Sequence, residues 1–147
     1  MTLILRAPSP IATLTPVAGL PLIGEAVPAG YPSPSQDYET DPLDLNTHLI
    51  RDRVSTFIMR VSGDSMLDAG VSDGDEVIVD RGLEPRHGDI VVATVDGAFT
   101  IKRFLIHGKD HGSLHPENPD YPDLAIGPES DFQIWGVVTR CLHRLSR

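Results

Sequence analysis

Residues 89–104 read Asp89-Ile90-Val91-Val92-Ala93-Thr94-Val95-Asp96-Gly97-Ala98-Phe99-Thr100-Ile101-Lys102-Arg103-Phe104. Two runs rich in β-branched and aromatic residues, Asp89 to Val95 and Ala98 to Phe104, flank a two-residue Asp-Gly connection. Such side chains fit a pleated surface better than a helix, and Asp-Gly tolerates the positive φ that a two-residue hairpin turn demands. The stretch therefore predicts two neighbouring antiparallel strands. In the second of them, Thr100, Lys102 and Phe104 share one face and Phe99, Ile101 and Arg103 the other, because successive side chains alternate.

Outward from this hairpin, further β-type runs stand at Thr56 to Val61, Glu76 to Val79 and Gln133 to Thr139, each bounded by turn residues. Gly82, Pro85 and Gly88 lie between Glu76 to Val79 and Asp89 to Val95, so the middle of the chain reads as a meander of twisted antiparallel strands. No internal repeat and no alternation of strand with helix is visible. Leu45 to Ile50 carries apolar positions at helical spacing, with Asp41 and Asp44 both candidate N-caps, and predicts one short helix. The fold class is mainly β: a compact, twisted, barrel-like antiparallel sheet. Apolar residues on an edge strand such as Gln133 to Thr139 would offer a second copy a pairing surface, which makes a homodimer the expected assembly.

Ahead of the helix the texture changes. Pro8, Pro10, Pro16, Pro21, Pro28, Pro32, Pro34 and Pro42 are interspersed with Gly19, Gly24 and Gly30. Proline removes backbone donors and glycine resists ordering, so this segment holds little regular structure of its own. Residues 1–42 read as an extended, mobile arm and residues 43–147 as one domain.

Composition narrows the function. Asp and Glu outnumber Lys and Arg by 21 to 12, a formal net charge of −9, which repels a phosphate backbone and argues against direct, sequence-specific DNA binding. The single cysteine, Cys141, has no intrachain partner, which fits a reducing, cytoplasmic setting. No run approaches the roughly 20 apolar residues of a membrane-spanning helix, so no membrane association is expected.

Two features carry possible chemistry. Ser62-Gly63-Asp64-Ser65-Met66 follows a β-type run, and Gly63 permits a sharp turn that would expose Ser65 and aim the backbone N–H groups of Asp64 and Ser65 at an oxyanion. Serine needs a base, and a lysine serves once burial lowers its pKa from about 10.4. Lys102 lies on a strand with apolar neighbours. Each feature alone is ordinary: serines in Gly-Asp turns usually bond their own backbone, and strand lysines usually reach for solvent.

Together they have a context. Val61-Ser62-Gly63-Asp64-Ser65-Met66, Gly70-Val71-Ser72-Asp73-Gly74-Asp75, His87-Gly88-Asp89-Ile90-Val91 and Phe99-Thr100-Ile101-Lys102 stand in an order that resembles the catalytic domain of the LexA and UmuD family of self-cleaving SOS-response proteins. The resemblance continues through Pro116-Glu117-Asn118-Pro119-Asp120-Tyr121-Pro122 and Ile134-Trp135-Gly136-Val137-Val138. It implies a Ser-Lys peptidase domain with Ser65 as nucleophile and Lys102 as general base. Val27-Pro28-Ala29-Gly30 resembles the family's self-cleavage segment, so Ala29-Gly30 is the bond expected to be cut. Pro28 departs from the small or branched residue often found there in relatives and restricts how the arm lies in a groove. Gly30-Tyr31-Pro32-Ser33-Pro34 and Asp37-Tyr38 resemble UmuD rather than LexA, and the arm shows no helix-turn-helix pattern.

The resemblance further implies a RecA filament on single-stranded DNA as the partner that accelerates cleavage, and an error-prone translesion DNA polymerase, of the kind UmuC represents, as the partner of the cleaved form. A non-catalytic dimeric module regulating a DNA-repair polymerase is the alternative. A signal peptidase shares the dyad but resembles the chain less and needs a membrane anchor. Neither cofactor nor metal is expected. His107, His111 and His115 are spaced by four, yet Gly108, Gly112 and Pro116 break any helix there, so a solvated loop is the reading. Asp64, Asp68, Asp73 and Asp75 lack the closing glutamate of a calcium loop.

Overall fold

A computed structural model of the chain describes residues 19–24, 26–34 and 40–146. It divides into two compact units, residues 1–48 and 49–147. In the first, β1 (Leu20–Ile23) pairs antiparallel with β2 (Thr40–Leu43). Pro21 faces Pro42 in this ribbon, a register at which neither strand needs a ladder donor. The arm thus holds one short ribbon that its proline content did not announce. The expected helix follows as α1 (Leu45–Leu49). Asp44 is its cap: one carboxylate oxygen accepts from the Asn46 N–H at 3.0 Å and the other from the Thr47 hydroxyl at 3.0 Å.

The second unit is built on β3 (Thr56–Arg60), β4 (Glu76–Asp80), β5 (Ile90–Val95), β6 (Ala98–Ile106), β7 (Gly112–His115), β8 (Leu124–Ile126) and β9 (Phe132–Leu142). These form one seven-stranded sheet in the order β3-β4-β9-β5-β6-β7-β8, with every neighbouring pair antiparallel. The mainly β class holds. The Asp96-Gly97 hairpin is present as expected, with φ of 49° and 80°, and joins Val95 to Ala98 in register.

Two expectations need correction. β4 and β5 are not neighbours in a continuous meander, because β9 lies between them: its Val137–Leu142 half pairs with β4 and its Phe132–Val137 half with β5. For the same reason the Gln133 to Thr139 segment is interior rather than an edge, and the edges are β3 and β8. Its apolar residues are used within the sheet, so they give no argument for a dimer. His107 and His111 lie in an exposed loop between β6 and β7, as expected, whereas His115 ends β7.

β5 shows why the sheet has two packed faces. Val91 and Ala93 join Leu114, Ile126 and Val137 in one buried cluster, while Val92 points the other way into a cluster with Val61, Met66, Val71, Val77 and Val79. Burying a valine or leucine this completely contributes about 1.5–3 kcal/mol. The second cluster matters for the site. It pulls the long β3–β4 connection, residues 61–75, down onto the sheet face, with Met66 1% exposed at its centre. Asp80, also buried, is satisfied by Arg51 at 2.9 Å, the Ser55 hydroxyl at 2.8 Å and the Gly82 N–H at 2.8 Å.

Candidate active site

Ser65 sits in the β3–β4 connection, on a turn closed by the Leu67 N–H donating to the Asp64 carbonyl at 3.2 Å. A short 3-10 helix, Leu67–Ala69, follows directly and ends at Gly70. Gly63, at φ 95°, makes the bend that precedes the serine. Its N–H donates to the Asp73 carboxylate at 2.7 Å, which ties the turn to the far end of the same connection. On the other side Asn118 donates to the Asp64 carbonyl at 2.9 Å, and the Tyr121 hydroxyl donates to the Asp64 carboxylate at 2.6 Å. Met66 anchors the turn in the core while Ser65 remains half-buried.

The structure brings Ser65 and Lys102 together. Lys102 projects from β6, is 8% exposed, and its Nζ stands 2.8 Å from Ser65 Oγ. Nζ has two other partners, Thr100 Oγ1 at 2.9 Å and the Ile101 carbonyl at 3.0 Å. Among the described residues no carboxylate pairs with it. Burial pushes the amine below its ordinary value, because low dielectric disfavours the charged form. Nζ donates to all three, which satisfies an ammonium; a neutral amine would keep its bonds to the Ile101 carbonyl and Thr100 Oγ1 and turn its lone pair to the Ser65 O–H.

Both residues line a groove of about 420 Å³ whose walls include Met59, Val77, Phe99 and Tyr121. Trp135 packs edge-on against Phe57 and Phe99, with ring centroids 5.3 and 5.7 Å apart, and the Arg81 guanidinium lies 4.6 Å above its ring. An apolar wall beside a serine and a buried amine suits an extended peptide of small and apolar residues. Ala29 and Gly30 lie in the first unit, both exposed, at a bend between Pro28 and Pro32.

Several of the remaining sequence candidates have protein partners. His107 bonds Ser113 at 2.8 Å and His115 bonds Asp123 at 2.7 Å, so two of the three histidines have a ring nitrogen engaged. Among the described residues no group of three or more His, Cys, Asp and Glu side chains is arranged to hold a metal. Asp75 accepts from the Ser72 N–H at 2.8 Å and bonds His143 at 2.7 Å, and the first of these leads in holding its carboxyl below the usual range. Cys141 sits beside it, and burial followed by Asp75 pushes the thiol up to about 11, which makes it inert at neutral pH.

Sequence reasoning missed the supports. Thr100 was visible as a same-face neighbour of Lys102, two residues away on one strand, without a role. Asn118 and Tyr121 lay inside a motif that carried only a resemblance, and nothing local links them to Asp64.

A family model, Peptidase S24-like, matches residues 21–139. The chain belongs to that family. It is 47% identical over 124 residues to Protein SamA of Salmonella typhimurium, covering 84% of this chain and 85% of SamA. It is 42% identical over 127 residues to Protein MucA of Escherichia coli, covering 86% of each. With the LexA repressor of Acidothermus cellulolyticus it shares 37% identity over 140 residues, 95% of this chain but 49% of that one. Within the LexA/UmuD family the chain is of the UmuD type. Among the described residues no helix is long and apolar enough to cross a membrane.

Proposed function

We propose that the protein is a self-cleaving serine endopeptidase of the SOS DNA-damage response, with Ser65 as nucleophile, Lys102 as general base and Ala29-Gly30 as the bond cut. The observation that carries this reading is the partner set of Lys102: a buried amine with two acceptors and a serine hydroxyl and, among the described residues, no counter-charge to hold its proton.

The steps follow from that arrangement. The neutral amine removes the Ser65 proton as Oγ attacks the Ala29 carbonyl carbon, and backbone N–H groups at the serine turn stabilise the oxyanion. Collapse breaks the Ala29–Gly30 bond. The ammonium of Lys102 returns its proton to the departing Gly30 amine and leaves Ala29 as an ester on Ser65. The neutral amine then takes a proton from water, whose oxygen attacks the ester. This releases the Ala29 carboxylate and restores the serine.

The chain is its own substrate, so the rate depends on how often the arm occupies the groove, and a partner that favours the docked pose accelerates cleavage without adding a catalytic group. The family resemblance supports a RecA filament on single-stranded DNA in that role. It supports the cleaved form as a homodimeric accessory subunit of an error-prone translesion polymerase in the cytoplasm. Incubating the purified chain with activated RecA and weighing the products tests the reading. The expected products are a fragment beginning at Gly30 and its complement, both absent for Ser65→Ala and Lys102→Ala. An intact wild-type chain would favour a non-catalytic regulatory module.

A further inference from the structure

We propose that Asn118 and Tyr121 are positioning residues for the cleavage reaction: they clamp the Asp64–Ser65 peptide so that the Ser65 N–H faces the groove as an oxyanion donor. This rests on the Ser65–Lys102 reading and assigns a role that the dyad alone does not.

A trans peptide is planar, so the Asp64 carbonyl and the Ser65 N–H point in opposite directions from one rigid unit. Whatever fixes the carbonyl fixes the N–H. The carbonyl is fixed twice, by Asn118 Nδ2 at 2.9 Å and by the Leu67 N–H at 3.2 Å. Among the described residues the Ser65 N–H donates to no acceptor, and both Asp64 and Ser65 line the groove. The donor is thus oriented from behind and open in front.

Asn118 is itself rigid. It is 9% exposed, its side-chain oxygen accepts from the Asp120 N–H at 3.0 Å, and its backbone carbonyl accepts from the Tyr121 N–H at 3.2 Å. Pro116 and Pro119 restrict φ on either side. Tyr121 grips the same residue by its carboxylate. That hydrogen bond and the Asp64 charge raise the tyrosine pKa, which favours the donating, protonated hydroxyl.

The clamp is also joined to the strand that carries the base. Glu117 pairs with Arg103, the residue after Lys102, while its backbone carbonyl accepts from the Asp68 N–H at 2.8 Å. Arg103 donates in turn to the Gly88 carbonyl at 2.6 Å. A single loop therefore holds the serine turn against β6, and sets the orientation of the donor together with the serine-to-lysine distance.

The test compares the full wild-type chain with Asn118→Ala and Tyr121→Phe. Self-cleavage is measured from about pH 7 to about pH 10, with labelling of Ser65 by a fluorophosphonate, whose phosphoryl oxygen needs the same donor. Losing one oxyanion donor costs about 10²–10³-fold, so Asn118→Ala, which frees the donor without deleting it, is expected to slow cleavage and labelling about 10–100-fold. The pH midpoint, set by the burial of Lys102, stays where it is in wild type; a general loosening of the fold would move it. Tyr121→Phe keeps the ring and removes one hydroxyl, for an expected loss of about 3–10-fold, and it decides the matter should Asn118→Ala fail to fold.

A folded Asn118→Ala chain that cleaves within about twofold of wild type overturns the clamp, as does an equal loss accompanied by a shifted midpoint. A wild-type chain that neither cleaves nor labels at Ser65 overturns the underlying reading, and the clamp with it. Labelling without cleavage in wild type leaves the clamp to be judged on the labelling rates.

Discussion

If a buried amine is the base, pH is the sharpest perturbation. An ordinary lysine is neutral in roughly one molecule in 2,500 at pH 7, and that share rises about tenfold per pH unit. Lys102 starts from a larger share, because burial pulls its pKa below the ordinary value of 10.5. The neutral form does the work, so the rate climbs as pH rises. Cleavage in the absence of any partner should therefore increase about tenfold per unit from neutrality and level off before the ordinary lysine pKa is reached. The assay is a time course of intact and cleaved chain by mass spectrometry in overlapping buffers at constant ionic strength. Lys102→Arg, whose guanidinium stays protonated, should remain silent across the range. A rate that is flat with pH, falls as pH rises, or plateaus only above the ordinary lysine value would refute the argument.

Thr100→Val removes an acceptor that favours the charged ammonium, so the midpoint of the same profile should move down, while the plateau falls several-fold because Nζ is less well oriented. Met66→Ala empties the centre of the cluster beneath the serine turn and should cost about 2–5 kcal/mol in urea unfolding, with slower cleavage. Asp80→Ala removes three hydrogen bonds from a buried carboxylate and should cost about 2–3 kcal/mol while leaving the cleavage pH midpoint unchanged. Burial alone would raise the Asp80 pKa, but Arg51, Ser55 and the Gly82 N–H outweigh it and hold the carboxyl below its usual range. Its contribution should thus be complete above about pH 4 and be lost as pH falls through the folded value, seen as a wild-type acid transition that Asp80→Ala lacks.

What the sequence made legible was local. The hairpin at Asp96-Gly97 is written in adjacent residues, and α1 in a short spacing with its cap. Ser65 and Lys102 were singled out from turn chemistry, strand composition and resemblance, and their approach to 2.8 Å is the part that only folding supplies. The place of β9 was not legible: a run of Val and Ile announces a strand, but which neighbours it takes depends on packing across the whole unit. β7 and β8 escaped notice because Gly112, His115 and the brevity of Leu124–Ile126 weaken any periodicity. The hold of Asn118 on Asp64 spans 54 positions, and no pattern within either segment encodes it.

The order in which the chain is made gives β9 a further meaning. A ribosome delivers the Ala29-Gly30 segment first, then Ser65, then Lys102, and only afterwards the strand that separates β4 from β5. Until that strand is threaded in, β4 and β5 share no ladder partner, and the serine turn is tied to β5 and β6 through the Val92 cluster and the Glu117 contacts. On the proposed reading, a nascent chain would carry Ala29-Gly30 before the sheet that holds its dyad is closed. By the same logic, a truncation just after Asp131 would silence the protein with every residue of the dyad and clamp still present.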